Sequence, residues 1–145
     1  FEGGYEQYVP IFSSVKVEGN KLRVLAREAE SFELFYKGKE KYVRFRHGNW
    51  EEDKVLKVPH KFVELRNIEF LGELENNIAS DSPFGEKEGR IVEIELECSK
   101  GTYVRQFAYD LAERLGQVAM LTELTRTKLG PIKLEDCMDI EDVKL

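Results

Sequence analysis

Ile91-Val92-Glu93-Ile94-Glu95-Leu96-Glu97-Cys98-Ser99-Lys100-Gly101-Thr102-Tyr103-Val104-Arg105 changes period at its centre, and that change decides the fold. Up to Cys98 the pattern alternates strictly. Val92, Ile94, Leu96 and Cys98 face one way and Glu93, Glu95 and Glu97 the other, which predicts a half-buried strand. From Val104 the apolar positions Phe107, Ala108, Leu111 and Leu115 recur at helical spacing, and Gly116 is a natural helix stop. Between the two lies a Gly101-Thr102 turn and cap flanked by Lys100 and Arg105. Two cations beside backbone N–H groups at a helix start predict an anion site, suited to a phosphate or carboxylate.

At 145 residues the chain is one domain or a large part of one, with 41% hydrophobic and 34% charged residues. No apolar run approaches a membrane span, and Glu2 and Glu6 interrupt the start where a signal peptide would be apolar. Cys98 and Cys137 lie far apart without a metal-ligand cluster, and Cys98 ends the apolar face of a strand. A reduced, packed thiol and a cytoplasmic protein are expected. His47 and His60 have no third ligand near them in sequence, so no metal and no cofactor is assigned.

The net charge of −6 argues against a nucleic-acid partner until its distribution is read. Residues 35–50 hold Lys37, Lys39, Lys41, Arg44 and Arg46 against Glu40 alone. Residues 98–128 hold Lys100, Arg105, Arg114, Arg126 and Lys128 against Asp110, Glu113 and Glu123. Acid concentrates in 51–97 and after Leu134, so a positive field on one face of an acidic protein is expected.

Elsewhere Phe1 to Phe12 reads as extended, with a turn at Gly19-Asn20 and a helix from Lys21 to Glu28. Lys41 to Arg46 alternates, with Tyr42, Arg44 and Arg46 on one face and Lys41, Val43 and Phe45 on the other. A turn at 47–49 and a return strand from Lys54 to Val58 make a hairpin. Its interleaved aromatic and basic residues suit a nucleic-acid surface or an ordinary amphipathic strand. Lys61 to Leu74 predicts one long strand, Asn76 to Gly89 an exposed loop, Leu121 to Leu129 another strand, and a short acidic helix closes the chain. Few strand–helix–strand units of parallel spacing occur, so an α+β fold with a mixed, largely antiparallel sheet and a few helices is expected.

Two segments resemble the bacterial TruB-type tRNA pseudouridine synthases. The first runs Phe1-Glu2-Gly3, then Gln7-Tyr8-Val9-Pro10-Ile11-Phe12-Ser13-Ser14-Val15-Lys16-Val17-Glu18-Gly19, then Lys21-Leu22 and Ala26-Arg27. It is similar to the pattern F-x-G, Q-x-P-P-x-[YF]-S-A-x-K-x-x-G and a helix ending in A-R. The second is Cys98-Ser99-Lys100-Gly101-Thr102-Tyr103-Val104-Arg105, similar to C-S-K-G-T-Y-[IV]-R. Asp110-Leu111, Leu115-Gly116, Ala119, Leu124, Arg126, Gly130 and Leu134-Glu135-Asp136 follow it. Val9, Ser14, Arg23 and Thr125 depart from the pattern, and residues 35–60 look like a hairpin insertion.

The resemblance implies the pseudouridine synthase fold and a reaction without cofactor or metal, in which a flipped uridine of the tRNA T-loop is cleaved from its ribose and rejoined through another ring atom. It implies that Arg105 pairs with the catalytic aspartate, Tyr103 stacks near the uracil and Leu124 lines its pocket. Lys100, Lys16, Arg126, Arg44 and Arg46 are the expected RNA contacts. The family's G-x-L-D-P-x-A-T-G segment does not occur in these residues, and Asp53, Asp81, Asp110, Asp136, Asp139 and Asp142 stand in other contexts. Residues 1–145 are therefore expected to be the C-terminal part of the catalytic domain, inactive alone, with the N-terminal half as partner. A non-catalytic RNA-binding module with the same cleft, and an unrelated α+β interaction domain, stay open as alternatives.

Overall fold

The computed structural model describes residues 1–74 and 89–144. Apart from Gly89, the loop expected over 76–89 lies outside them. The fold is α+β, and every strand pairing among the described residues is antiparallel. In chain order the elements are β1 (Tyr5–Tyr8), β2 (Lys16–Val17), β3 (Asn20–Lys21), α1 (Leu22–Glu28), β4 (Ser31–Lys37), β5 (Glu40–Arg46), β6 (Lys54–Lys57), β7 (His60–Val63), β8 (Leu65–Leu74), β9 (Ile91–Cys98), α2 (Val104–Arg114), β10 (Lys128–Leu129) and β11 (Ile132–Lys133).

β4, β5 and β6 form a three-stranded meander, so the predicted hairpin of 41–58 gains a strand that starts at Ser31. Its inner face puts Val43, Phe45 and Leu56 on Leu22, Leu25 and Ala26 of α1, with Val9, Ile11 and Val58 completing the core. Phe45 and Val43 are fully buried, each contributing about 1.5–3 kcal/mol by removal from water. α1 therefore buries the residues that its spacing predicts. The β2–β3 turn is Glu18-Gly19, one residue before the expected pair. Both residues have positive φ (51° and 81°), as a two-residue turn matched to strand twist requires.

The expected strand over 61–74 is two strands. β7 pairs with β1 and β8 with β9, and the exchange of partner falls at Glu64. The Glu64 N–H donates to Ser99 Oγ at 3.0 Å and its carbonyl accepts from the Ser99 N–H at 2.9 Å, so both backbone groups leave the β1 ladder. β9 keeps the predicted alternation from Ile94 to Cys98, whereas Val92 is 49% exposed beyond the register shift at Phe70 and Gly72 of β8. Cys98 is a free thiol packed, with Ile68, Leu96 and Leu111, against a second core of Val63, Leu65 and Phe107. α2 ends as read: Gly116 has φ 67°, and the N–H groups of Gly116 and Gln117 donate back to the carbonyls of Glu113 and Ala112.

The strand expected over 121–129 does not form. Only Lys128 and Leu129 pair, with Lys133 and Ile132. Residues 121–127 have no ladder partner among the described residues, and Leu124 stands 58% exposed. Alternating composition alone cannot hold a strand whose backbone groups find no neighbour. The closing acidic helix is two 3-10 turns, Leu134–Asp136 and Ile140–Asp142.

Candidate functional site

Gln7 fixes where α2 begins. It alternates inward on β1 and is 1% exposed. Its Oε1 accepts from the Tyr103 N–H at 2.8 Å, and its Nε2 donates to the Tyr103 carbonyl at 3.0 Å and to Tyr5 Oη at 2.8 Å. One buried amide thus copies a two-sided ladder bond onto the residue that precedes the helix. Tyr5 Oη donates to Asp110 Oδ2 at 2.7 Å, and Asp110 Oδ1 accepts from Gln106 Nε2 at 2.8 Å. Burial, reinforced by that bond to Asp110, holds the Tyr5 hydroxyl protonated far above the ordinary tyrosine range.

The turn spends its donors internally. The Thr102 N–H and Oγ1–H both donate to the Ser99 carbonyl, at 3.3 and 2.9 Å, and Tyr103 is the helix N-cap, without a side-chain cap bond. The expected anion site therefore lacks the Thr102 and Tyr103 N–H groups, and Thr102 closes the turn rather than capping the helix. Gly101 has φ 79°, which favours glycine, and a Cβ there would displace the Lys61 ammonium, which lies over the turn. Two lysines, one of them not anticipated, hold the positive charge at this corner.

Arg105, on the first turn of α2, is exposed and donates from Nη2 to the Phe12 carbonyl at 2.9 Å. It lines a groove of about 340 Å³ with Gln106 and Tyr109 of α2. Val9, Pro10, Ile11 and Phe12 line the groove from the segment after β1, Leu34 and Lys41 from the meander, and Val58 from the turn before β7. The first resembling segment and the second thus meet here, Arg105 against Phe12. The site is an apolar cleft bearing a planar cationic fork, suited to a flat ring together with a carboxylate or phosphate.

The other expected residues scatter. Tyr103 is half-buried and packs on the first core. Lys100 is exposed in the turn, Lys16 is exposed on β2, and Leu124 and Arg126 are exposed in the irregular stretch after α2; none of the four lines the groove. Arg44 and Arg46 point from the outer face of the meander. There Arg44 pairs with Glu33 at 2.9 Å and Arg46 with Asp53 at 3.2 Å. Lys41, which sequence reasoning did not assign, lines the groove instead. The signal was the alternation of β5, which puts Lys41 on the Val43 and Phe45 face. Among the described residues no group of three or more His, Cys, Asp or Glu is placed to hold a metal ion, and no helix is long and apolar enough to cross a membrane.

No protein-family model matches the chain. Curated relatives do. The chain is 34% identical over 144 residues to tRNA pseudouridine synthase B of Bacteroides thetaiotaomicron, covering 99% of this chain and 46% of that protein. It is 33% identical to the protein of the same name from Phocaeicola vulgatus, covering 97% of this chain and 44% of the relative. With that of Geobacillus kaustophilus it shares 33% identity, over 98% of this chain and 39% of the relative. The chain spans less than half the length of these relatives, and over that stretch it is a TruB-like fragment, similar to tRNA pseudouridine synthase B.

Proposed function

We propose that residues 1–145 are the C-terminal part of the catalytic domain of a cytoplasmic tRNA pseudouridine-55 synthase, which isomerises the T-loop uridine of tRNA. The observation that carries this reading is Arg105, presented by the strand–turn–helix motif into an apolar groove. The reaction needs an ionised carboxylate beside a flipped base in a site that excludes water. A guanidinium suits this task because its fork bonds a carboxylate through two parallel N–H groups and favours its charged form. Among the described residues the Arg105 side chain donates to the Phe12 carbonyl alone, so the fork retains donors for such a partner.

In this reading the carboxylate comes from a G-x-L-D-P-x-A-T-G segment of the N-terminal half, which docks on this one. Large exposed apolar residues support a missing neighbour: Phe70 at 64% on β8, Val118 at 78% and Ile140 at 88% exceed what a closed surface usually leaves in such numbers. Tyr103 and Leu124, neither of which lines the groove in this chain by itself, reach the uracil only once the N-terminal half is in place; Lys100, Lys16 and Arg126 meet the T-arm backbone, and residues 35–60 are an insertion. Arg44 and Arg46 join the RNA contacts only by releasing Glu33 and Asp53.

The test is position-resolved mapping of pseudouridine on a tRNA transcript. The 145-residue chain alone gives none, and the chain combined with a polypeptide carrying the aspartate segment modifies the T-loop uridine. Modification by the chain alone overturns the placing of the nucleophile outside these residues. No modification by the combination overturns the reading itself.

A further inference from the structure

The tip of the β4–β5 hairpin carries cations that the site described above leaves unused. Lys37 ends β4, Gly38 (φ 65°) and Lys39 make the turn, and Lys41 follows on β5. Elsewhere on the meander the charges are matched: Glu33 holds Arg44, Asp53 holds Arg46, and Glu40 holds Lys57 at 3.0 Å. Lys37, Lys39 and Lys41 enter no ion pair among the described residues.

The tip is also fastened to the groove. Tyr8 Oη donates to the Lys39 carbonyl at 3.2 Å, and the Val58 N–H donates to the Lys41 carbonyl at 2.8 Å. Tyr36 is the cross-strand partner of Lys41, so the two share the inner face. Lys41 Nζ lies 5.2 Å from the Tyr8 ring and 5.9 Å from the Tyr36 ring, a cation beside an edge-to-face aromatic pair, while the residue lines the groove with Arg105. Tyr36 itself is 62% exposed.

The geometry points to the β4–β5 tip as a second RNA contact, in which Lys37, Lys39 and Lys41 meet backbone phosphates next to the groove and Tyr36 offers a stacking face. The inference rests on the reading that the groove receives RNA, and it moves the RNA contact of the inserted segment from Arg44 and Arg46 to the hairpin tip. Unmatched cations beside an exposed aromatic ring suit a polyanion that carries flat bases, whereas an acidic peptide offers Tyr36 no ring.

The experiment is a salt titration of a fluorescent T-arm hairpin against the 145-residue chain, a triple variant (Lys37→Gln, Lys39→Gln, Lys41→Gln), Lys100→Ala and Lys54→Gln. Lys54 sits on the same sheet, 4.5 Å from the Trp50 ring, and serves as the control. Each lost phosphate contact lowers the slope of log affinity against log salt by about 0.7–0.9. The triple variant is expected to flatten the slope by about two units and Lys54→Gln to leave it unchanged. A wild-type slope in the triple variant overturns the inference, and if Lys100→Ala still flattens it, the broader reading stands. A wild-type chain that binds no T-arm RNA at the lowest salt overturns both.

Discussion

Gln7 shows how much one side chain decides. It ties β1 to the residue that precedes α2 by bonding both backbone groups of Tyr103 at once. Gln7→Leu keeps the volume and strands the Tyr103 N–H, while the Tyr103 carbonyl keeps its bond from the Phe107 N–H at 2.9 Å. At about 1–3 kcal/mol for an unsatisfied group, a loss of about 1–3 kcal/mol is expected. The measurement is a lowered urea midpoint at unchanged m-value, and a shift worth less than about 0.5 kcal/mol contradicts the role.

Tyr5 makes a pH prediction at the same scale. Folding holds its hydroxyl protonated beyond the ordinary tyrosine value of 10.0, so above about pH 10 the unfolded chain releases a proton that the folded chain keeps. Stability then falls as pH rises. Tyr36, also raised by burial and its neighbours, adds to the fall. Tyr5→Phe is expected to show a shallower decline above pH 10 in denaturation series, and an identical decline removes Tyr5 as its source. Arg105 was legible in the sequence because it stands at a change of period within a motif. Gln7 and Lys41 were not. Their roles depend on residues 96 and 33 to 64 positions away in the chain, Tyr103 for Gln7, and the Tyr8 ring and Arg105 for Lys41; the alternation of β5 marks the face of Lys41 but not those partners.

Among elements, the legible ones are those whose burial follows a single period. α1 buries the residues that helical spacing selects, β9 half-buries Ile94, Leu96 and Cys98 as alternation selects but leaves Val92 exposed, and α2 stops at the glycine that its pattern marks. β4 escaped because Leu34, Phe35 and Tyr36 are consecutive and Leu34 and Tyr36 remain partly exposed, so no alternation shows. β8 was read as continuous with β7 because the exchange at Glu64 is made by Ser99, which is distant in sequence. The meander depends on its inner face, and Phe45 is the largest fully buried side chain on it. Phe45→Ala is expected to cost about 3–5 kcal/mol in chemical denaturation and to release the hairpin tip from Tyr8. A loss below about 1 kcal/mol contradicts a meander packed on α1.

At the scale of the molecule, the fold class was readable from composition and element order, since scattered short elements without parallel spacing leave little but an antiparallel α+β arrangement. The way the two resembling segments converge was not readable. It comes from β1 pairing with β7, which carries Phe12 to the start of α2 and brings Arg105 to its carbonyl. The central claim is that this convergence builds the place where the base is isomerised, with Arg105 orienting a carboxylate supplied from the N-terminal half. Its most direct test is single-turnover pseudouridine formation by the reassembled enzyme carrying Arg105→Lys, with T-arm affinity measured in parallel. Lysine keeps the charge and loses the two parallel bonds, so turnover is expected to fall by about two orders of magnitude or more while affinity stays near wild type. Near-normal turnover in that variant contradicts the account.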